Sequence, residues 1–365
     1  MDRTYIQKLK DEIREYLGVK HVFLVSSGKA ALAVILSALK SINPDRKHVL
    51  IPAYTCFSVP SAIVRARLEI SLCDIDPSTF DFDYSLLEKS INEDTLCVVP
   101  DHLFGIPSDM DKINNLCRDK GIFVIEDAAQ AMGGEYNGRK LGTIGDAGFF
   151  SLGRGKNITC GSGGIIVTNS RKIAAAVENE IAGLESPGIK ETVREFFMVL
   201  ALGLFIHPAA YWFPAGLPFL KLGETVFYRD FPVKKFSGMK AGLLKNWRKR
   251  LEESNDARRK NTAYFCGRLR SMLRLSNGSS IPCLRLPAMP DEAGTKERNF
   301  SSPDMAGLGI SRMYPTAINE VEEIRERFDG MAFPSAEKAA ESLLTIPTHQ
   351  LLTEKDKEKI VEAFL

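Results

Sequence analysis

Residues 122–168, IFVIEDAAQAMGGEYNGRKLGTIGDAGFFSLGRGKNITCGSGGIIVT, decide the fold of this chain. The segment opens with an apolar run, Ile122 to Ile125, which leads directly into the acidic pair Glu126 and Asp127. A second apolar run, Ile165 to Thr168, closes it. Short apolar runs bounded by turn residues are typical of buried strands. We therefore expect a strand at each end of this segment, with the polar loops between them carrying the chemistry.

Lys156 is the candidate for covalent chemistry in this segment. It lies in a glycine-rich loop, Gly153 to Asn157, which follows an expected strand from Ala147 to Leu152. Tight turns after a buried strand desolvate a lysine, and a neighbouring cation such as Arg154 acts in the same direction. Both effects favour the neutral amine, which is the nucleophile that Schiff-base chemistry needs. Asp127 is the candidate acid partner, because a carboxylate at a strand end can keep a pyridinium nitrogen protonated.

Taken singly, these residues have simpler explanations. A lysine in a glycine loop is usually solvated, and an aspartate before Ala-Ala-Gln more often caps a helix. Their order along the chain is more specific: Asp127, Gln130, a Gly142 to Asp146 turn, Phe150 and Ser151, Lys156, and then a Gly-Gly strand start. This order resembles the DegT/StrS aminotransferases, which are fold-type-I pyridoxal phosphate (PLP) enzymes that mostly aminate keto-sugar nucleotides.

The resemblance assigns a role to each residue of this segment. It implies that Lys156 forms the Schiff base with PLP and that Asp127 pairs with the pyridinium nitrogen. It also implies that Gln130 lies beside the phenolic oxygen and that Ser151 binds the phosphate. The lysine at position 156 argues against the dehydratase branch of the family, where that residue is typically a histidine.

The helix that starts at Ser26-Ser27-Gly28-Lys29 is a candidate phosphate cradle. Small residues at a helix start let backbone N–H groups approach an anion, although most such pairs are only caps. The segment matches the S-G-T-x-A-L cradle of the family, except that Lys29 replaces the threonine. Lys29 either pairs with the phosphate as a point charge or turns outward and leaves the backbone of Gly28 and Lys29 to bind.

Further site candidates lie after the next strands. The strand His48 to Pro52 leads to Tyr54, Cys56 and Phe57. By resemblance a ring stacks on PLP at the position of Cys56, so that Phe57, Tyr54 or the thiol itself takes this place. His102, after another strand, is either an active-site neighbour in contact with substrate or a hydrogen-bonded strand-end histidine.

The order of elements predicts an α/β fold. Strands alternate with short helical stretches from Val22 to Thr168, which favours a mostly parallel sheet covered by helices on both faces. The resemblance implies a large PLP-binding domain over 1–240, with an apolar insertion at about 190–225, and a smaller α+β domain over 241–365. In the latter, Arg312 lies in a strand that matches the family pattern and is either a ligand for the donor carboxylate or a surface residue.

Composition excludes several other classes. The 365 residues contain 48 basic and 46 acidic side chains, so no global field attracts nucleic acid. The seven cysteines lack CxxC spacing, which indicates reduced thiols in a cytoplasmic protein and no zinc or other metal site. The N-terminal segment is a charged amphipathic helix without the apolar core of a signal peptide.

One stretch departs from the family. From Phe196 to Leu220 the sequence contains no Asp, Glu, Lys or Arg. Pro208, Pro214 and Pro218 interrupt any continuous helix, which leaves too short a segment to cross a bilayer readily. A subunit interface or buried insertion, a substrate tunnel, a lipid-docking surface and a true span are the alternatives. The chain is therefore expected to be cytoplasmic, with peripheral membrane contact through 196–220 as a further expectation.

The sequence thus predicts a PLP-dependent transaminase that acts as a homodimer on small molecules. By resemblance the donor is glutamate and the acceptor a nucleotide-linked keto-sugar for polysaccharide or glycolipid biosynthesis. Two alternatives stay open. One is PLP chemistry on a hydrophobic or lipid-linked substrate, including acyl transfer. The other is a non-catalytic, membrane-docked homologue, since Lys29, Cys56 and Ser162 stand where the family has threonine, an aromatic residue and glutamate.

Overall fold

A seven-stranded sheet forms the centre of the molecule. The computed structural model describes residues 2–205, 225–269, 281–289 and 307–364. The strands of this sheet, in chain order, are β1 (His21–Val25), β2 (His48–Pro52), β3 (Glu69–Cys73), β4 (Thr95–Val98), β5 (Phe123–Asp127), β8 (Ala147–Ser151) and β9 (Gly164–Thr168); a small ribbon, β6 (Glu135–Tyr136) and β7 (Arg139–Lys140), stands apart. Their spatial order is β1-β9-β8-β5-β4-β2-β3.

The expected mostly parallel sheet is confirmed, with one exception. Strands β8, β5, β4, β2 and β3 pair in parallel, whereas β9 is antiparallel to both of its neighbours, β1 and β8. A short loop can join antiparallel strands, while parallel strands need a crossover. The chain from β8 to β9 is such a loop, residues 152–163, and it contains Lys156.

Helices cover both faces of the sheet. They are α1 (Asp2–Leu17), α2 (Gly28–Ile42), α3 (Ser58–Arg65), α4 (Tyr84–Ser90), α5 (Met110–Arg118), α6 (Arg171–Ala182), α7 (Ile189–Phe205), α8 (Gly238–Leu243) and α9 (Trp247–Cys266). Alternate side chains of each strand enter different layers: Val49 and Ile51 of β2 pack with α2 and α3, whereas Leu50 packs on the opposite side with α4 and α5. The strands are therefore apolar on both faces, as the sequence pattern predicts.

A second, smaller sheet lies toward the C-terminus. It pairs β10 (Arg285–Ala288), β12 (Leu344–Pro347) and β11 (Ser311–Arg312), all antiparallel, and packs with α11 (Glu354–Phe364). The chain between β11 and β12, which includes α10 (Pro334–Ser342), returns to the core of the large sheet, where Tyr314 is fully buried. This return is what brings a C-terminal residue to the candidate site. The domain boundary near residue 240 stays a prediction.

The apolar stretch is described only in part. Helix α7 runs from Ile189 to Phe205, and the remainder of the stretch, 206–220, lies outside the described residues. Among the residues that the structure covers, no helix is both long enough and apolar enough to span a bilayer.

Candidate active site

The carboxyl end of β5 carries two buried acidic side chains with different environments. Glu126 is fully buried, and its carboxylate accepts backbone N–H groups from Gly142 at 2.8 Å, from Gly145 at 2.7 Å and from Ile144. Gly142 adopts φ +85°, a conformation that glycine enters without strain. Glu126 thus organises the turn after β7 around its own charge.

His102 completes the environment of Glu126. The N–H of Ser108 donates to His102 Nδ1 at 3.2 Å, so the proton of the neutral ring resides on Nε2, which donates to Glu126 at 3.0 Å. His102 is fully buried. Because both ring nitrogens are engaged within the protein, this geometry does not support the expected contact with substrate. The alternative, a hydrogen-bonded strand-end histidine, describes the observed position.

Asp127 lies on the other side of the same strand end. It is 4% exposed, and its Oδ1 accepts the N–H of Ala129 at 2.9 Å. Burial raises the pKa of this carboxyl, while the Ala129 bond and the charge of Lys156 lower it. Asp101 forms a backbone β-bridge with Asp127, and its carboxylate accepts a hydrogen bond from the Thr55 hydroxyl at 2.7 Å. Burial raises the pKa of Asp101, and the charge of Asp127 raises it further. Two buried carboxylates thus share one region.

Lys156 supplies the positive charge for that region. Its charge also lowers the pKa of Asp101, so that it acts on both carboxylates. The lysine is half-buried, and the 152–163 loop that holds it is closed by the backbone bond from Leu152 N–H to Gly163 O at 2.8 Å. The next residue, Asn157, is buried and bonded to Asn255 of α9 at 3.0 Å. Lys156 is therefore placed by its neighbours on both sides of the loop.

The start of α2 meets the end of β8. A Cβ added to Gly28 would lie 2.8 Å from the Cβ of Ser151 and 3.0 Å from its hydroxyl, so that only glycine fits. Ser27 caps the helix, and its hydroxyl accepts the N–H of Ala30 at 3.1 Å. Intrahelical bonding gives the N–H groups of Gly28 and Lys29 no partner, and such groups bind anions. Gly28 and Ser151 therefore lie side by side, and their role as a phosphate cradle stays a prediction.

Lys29 turns toward the segment that follows residue 224. Its ammonium lies 4.0 Å from the ring centroid of Tyr228 and 4.7 Å from that of Phe231, which are cation–π contacts. Desolvation lowers its pKa, and a nearby Cys56 acts in the opposite direction. Lys29 is therefore half-buried against aromatic rings, and the binding of a phosphate by its side chain or by the backbone of Gly28 and Lys29 stays a prediction.

Gln130 joins the site to the C-terminal part of the chain. Its Nε2 donates to the hydroxyl of Tyr314 at 3.0 Å, and its Oε1 is buried without a hydrogen-bond partner in the described part of the chain. Tyr314 was not among the residues expected at the site. Burial raises its pKa well above the usual value, so its hydroxyl stays protonated. The sequence signal that could have identified Tyr314 is the Tyr-Pro pair at 314–315, two positions after Arg312.

The candidate rings surround Tyr314. Tyr54 is fully buried between Phe80 and Tyr314, and its hydroxyl bonds to the backbone of Met313 and Tyr314. This geometry does not support Tyr54 as a substrate or stacking residue. Phe57 packs on Tyr314 with ring centroids 6.3 Å apart, and Cys56 is half-buried beside it. The stacking role of Cys56 or Phe57 stays a prediction.

Arg312 lies apart from these residues. It is exposed in β11, the edge strand of the small sheet. Its role as a ligand for the donor carboxylate stays a prediction, and the surface alternative agrees with its exposure.

The assembled residues fit pyridoxal phosphate. The cradle at Gly28 and Ser151 suits a phosphate, the buried Asp127 suits a pyridinium nitrogen, and Lys156 suits the aldehyde carbon. Among the described residues, the buried Oε1 of Gln130 has no hydrogen-bond partner. Because the Tyr314 hydroxyl can both donate and accept, that amide can offer oxygen or nitrogen to a phenolic group. Fold and site together define a fold-type-I PLP enzyme.

The chain belongs to the DegT/DnrJ/EryC1/StrS aminotransferase family, whose model matches residues 2–365. The resemblance to this family and the expected α/β fold are thereby confirmed. The expected cofactor, pyridoxal phosphate, and the transaminase class are confirmed at the level of the family.

Curated relatives agree with this family. The GDP-perosamine synthase of Caulobacter vibrioides is 37% identical over 171 residues, which cover 47% of this chain and 46% of that protein. The L-glutamine:2-deoxy-scyllo-inosose aminotransferase of Streptoalloteichus tenebrarius is 29% identical over 374 residues, which cover 95% and 82%. For several relatives, such as the pleiotropic regulatory protein of Geobacillus stearothermophilus, the matched part is about half of the relative, 45% in that case.

Solved structures share the fold along nearly the whole chain. Helicobacter pylori PseC, an aminotransferase of pseudoaminic acid biosynthesis, superposes with a TM-score of 0.78 at 16% identity, covering 100% of this chain and 95% of that one. The Escherichia coli GDP-4-keto-6-deoxy-D-mannose-3-dehydratase, solved with hydrated PLP, gives 0.76 at 19% identity, covering 99% and 92%. The fold is therefore common to transaminases and a dehydratase.

Proposed function

We propose that this protein is a sugar aminotransferase that moves an amino group from an amino acid to a keto-sugar. The observation that supports the proposal is the pairing of β5 with β8, because Asp127 at the end of β5 then shares one edge of the sheet with Gly28, Ser151 and the loop that contains Lys156. The shared fold does not separate transaminases from dehydratases. The residue at position 156 does, because the dehydratase branch typically has histidine there and a histidine cannot form a Schiff base.

The residues of the chain divide the work of amino transfer. When bound, pyridoxal phosphate supplies a conjugated ring that withdraws electron density from the α-carbon of the substrate. Asp127 provides the buried negative charge that keeps the ring nitrogen protonated. Gly28 and Ser151 hold the phosphate at the start of α2. The amine of Lys156 would act as general base by removing the proton from the α-carbon of the donor. It would act as general acid by giving a proton to the carbon of the acceptor that receives the amino group.

The names of the relatives support a proposal for the acceptor class. One relative is named for its product, the nucleotide sugar GDP-perosamine. Another is named for its acceptor, 2-deoxy-scyllo-inosose. We infer a nucleotide-linked keto-sugar as acceptor, for polysaccharide or glycolipid biosynthesis, and glutamate as donor. The name of the Streptoalloteichus relative specifies glutamine as its own donor, so both amino acids belong in the test. We also infer a cytoplasmic homodimer, as the family resemblance implies, and sedimentation velocity of the purified protein tests the dimer.

The visible spectrum of the protein with added PLP tests the proposal. We expect the wild type to show the absorbance band of lysine-bound PLP, and Lys156→Ala to lack it. Glutamate should bleach the wild-type band and release 2-oxoglutarate in equal amount. Lys172→Ala, which removes an exposed lysine at the start of α6, is the matched control and should behave as the wild type.

Three outcomes would contradict the proposal. A wild type without the band would favour a non-catalytic homologue. A band that neither amino acid bleaches, together with release of thiol from an acyl-CoA, would favour acyl transfer. Bleaching without amination of any member of a panel of nucleotide-linked 3-keto and 4-keto sugars would exclude the acceptor class and retain the donor half-reaction.

A further inference from the structure

Helix α7 is attached to the molecule mainly through its acidic residues. Glu191 pairs with Lys234 at 2.6 Å, and Glu195, one turn later, pairs at 2.8 Å with Lys240, which is only 4% exposed. One further turn along, Val199 lies against the 152–163 loop, since a Cβ added to Gly161 would be 3.0 Å from Val199 Cγ2. Residues at positions i, i+4 and i+8 share one helix face, so this face points inward.

The other side of α7 is apolar and open. Ten large apolar side chains are exposed in the described part of the chain, and six of them lie on this one helix. Five of them, Ile189 (86%), Val193 (48%), Phe196 (51%), Phe197 (60%) and Leu200 (51%), lie on the side opposite Glu191. The sixth, Met198 (49%), follows Glu191 by seven positions and lies beside the acidic face. Exposed apolar residues scattered singly are ordinary, but a contiguous set of this size marks a contact surface.

The acidic and basic residues of α7 also lie on different sides of the helix. Its only two acidic residues, Glu191 and Glu195, are drawn inward by Lys234 and Lys240. Its two basic residues, Lys190 and Arg194, are exposed and stand beside Phe197 on the outer side. The outer surface of residues 189–201 therefore combines apolar side chains with positive charge. The two carboxylates of the helix, Glu191 (36% exposed) and Glu195 (25% exposed), lie at its border, in ion pairs with Lys234 and Lys240.

We propose that this outer face of α7 docks on an anionic lipid surface. A helix that lies in a membrane interface inserts aromatic and aliphatic side chains below the headgroups and places lysine and arginine among them. A second copy of the chain fits less well, because a two-fold contact through this face brings Lys190 and Arg194 toward equivalent cations, while both carboxylates of the helix are already paired with Lys234 and Lys240.

The docking face lies next to the candidate active site. Lys240, which holds Glu195, also donates to the hydroxyl of Ser162 at 3.1 Å, in the loop that begins with the Lys156 turn. The helix thus separates the active-site loop from the lipid by about 10 Å, the diameter of one helix. This inference rests on the proposed function: a transaminase docked in this way would hold its active-site loop close to the membrane surface.

Vesicle co-sedimentation of the full chain tests the proposal. We expect the protein to bind phosphatidylcholine vesicles that contain one-third phosphatidylglycerol at least about tenfold more tightly than pure phosphatidylcholine, with salt weakening the difference. The double variant Phe197→Glu, Leu200→Glu should lose about tenfold or more of this affinity. Met331→Glu, which changes another exposed apolar residue (59%), is the matched control and should bind as the wild type.

A charge variant separates lipid from other apolar partners. Lys190→Glu, Arg194→Glu should abolish the preference for anionic vesicles, whereas Lys249→Glu, at an exposed lysine of α9, should leave it unchanged. A wild type that binds neither vesicle, or a Phe197 and Leu200 variant that binds as the wild type does, would overturn the proposal. Conversion of a dimer to a monomer by that variant, without vesicle binding by the wild type, would assign the face to a second copy.

The readouts of this proposal and of the proposed function are independent. All α7 variants change exposed side chains outside the candidate site, so their PLP band and its bleaching by glutamate should match those of the wild type. Loss of vesicle binding with an intact band then concerns docking alone, and loss of the band in the wild type concerns the function alone.

Discussion

Glu126 and Asp127, at the end of β5, are both buried but have different neighbours. Their comparison shows that burial alone does not identify a functional carboxylate. The two carboxylates are adjacent in sequence and nearly equally buried, 0% and 4% exposed. Three backbone N–H groups and His102 surround Glu126. Asp127 receives the N–H of Ala129 and otherwise faces Asp101 and Lys156.

This difference separates a structural carboxylate from a functional one. Fixed backbone donors satisfy Glu126, so its charge is neutralised by the fold itself. Asp127 lies in a region where the pKa of each carboxyl is raised by burial and lowered by the charge of Lys156. A ligand that brings a proton on a ring nitrogen completes the environment of Asp127 and adds nothing to that of Glu126.

The largest expected effect is on catalysis, at Asp127. Asp127→Asn should lower kcat of amino transfer by about 1,000-fold, because an amide cannot keep the ring nitrogen protonated. Folding should be retained, since the amide still accepts the Ala129 N–H. Steady-state transaminase assays at saturating donor measure this, with the exposed Asp119→Asn as control. Near-normal turnover in Asp127→Asn would contradict the functional role of Asp127.

The second effect is on stability, at Glu126. Glu126→Gln should lower the free energy of unfolding by about 3 kcal/mol. The side-chain NH2 of the glutamine would point at backbone N–H groups, which are also donors, and the charge of the carboxylate would be lost. Urea denaturation of the PLP-loaded protein measures the change, and the folded fraction should keep its lysine-bound band. A stable Glu126→Gln protein that lacks the band would show that Glu126, and not only Asp127, serves the cofactor.

The third effect is a pH dependence of the cofactor-free protein. Burial raises the pKa of Asp127 to about 6, above its unfolded value, so between the two values the folded state binds more protons. The stabilising contribution of the protonated carboxyl is full below the unfolded pKa and is lost as pH rises through the folded pKa.

The stability of Asp127→Asn relative to the wild type should therefore grow by roughly 2 kcal/mol between about pH 4 and pH 7. Urea denaturation of both proteins without PLP, over a pH series, measures the difference. A difference that stays level or shrinks with rising pH would mean that Lys156 already neutralises Asp127 in the cofactor-free state.

The smallest effect concerns the partner of Gln130. Tyr314→Phe should lower the free energy of unfolding by about 1 kcal/mol, because the Gln130 amide loses its hydroxyl partner while the ring packing on Phe57 is retained. Thermal unfolding with and without PLP measures it, and Tyr5→Phe, at an exposed tyrosine, is the control. A larger loss with PLP than without would indicate that Tyr314 also orients Gln130 toward the cofactor.

Local spacing was sufficient to predict the strand ends that build the site. The positions of Asp127, Ser151 and Lys156 follow from apolar runs that end in polar residues, because the carboxyl ends of parallel strands meet at one edge. The antiparallel β9 was not distinguished from its parallel neighbours, since a fully buried strand has the same apolar pattern in either direction.

Contacts between distant parts of the chain could not be predicted in this way. Tyr314 reaches Gln130 across 184 positions, and no local pattern encodes that meeting. His102 and Tyr54 were placed near the site, but their complete burial depends on neighbours from other elements. The outward face of α7 likewise depends on Lys234 and Lys240, which draw the acidic side chains of the helix inward.

The position of β9 also sets an order of events during synthesis. Strand β1 is made first, yet its partner in the sheet is β9, and its further bridge, at Val25, is to Lys235. Until residues 164–168 leave the ribosome, β1 has an unpaired edge, and unpaired edges invite aggregation. The insertion of β9 between β1 and β8 closes the 152–163 loop at the same moment. Nascent chains that stop before Thr168 should therefore depend on chaperones and bind no cofactor. Independence from chaperones and the ability to bind cofactor should appear at the same chain length.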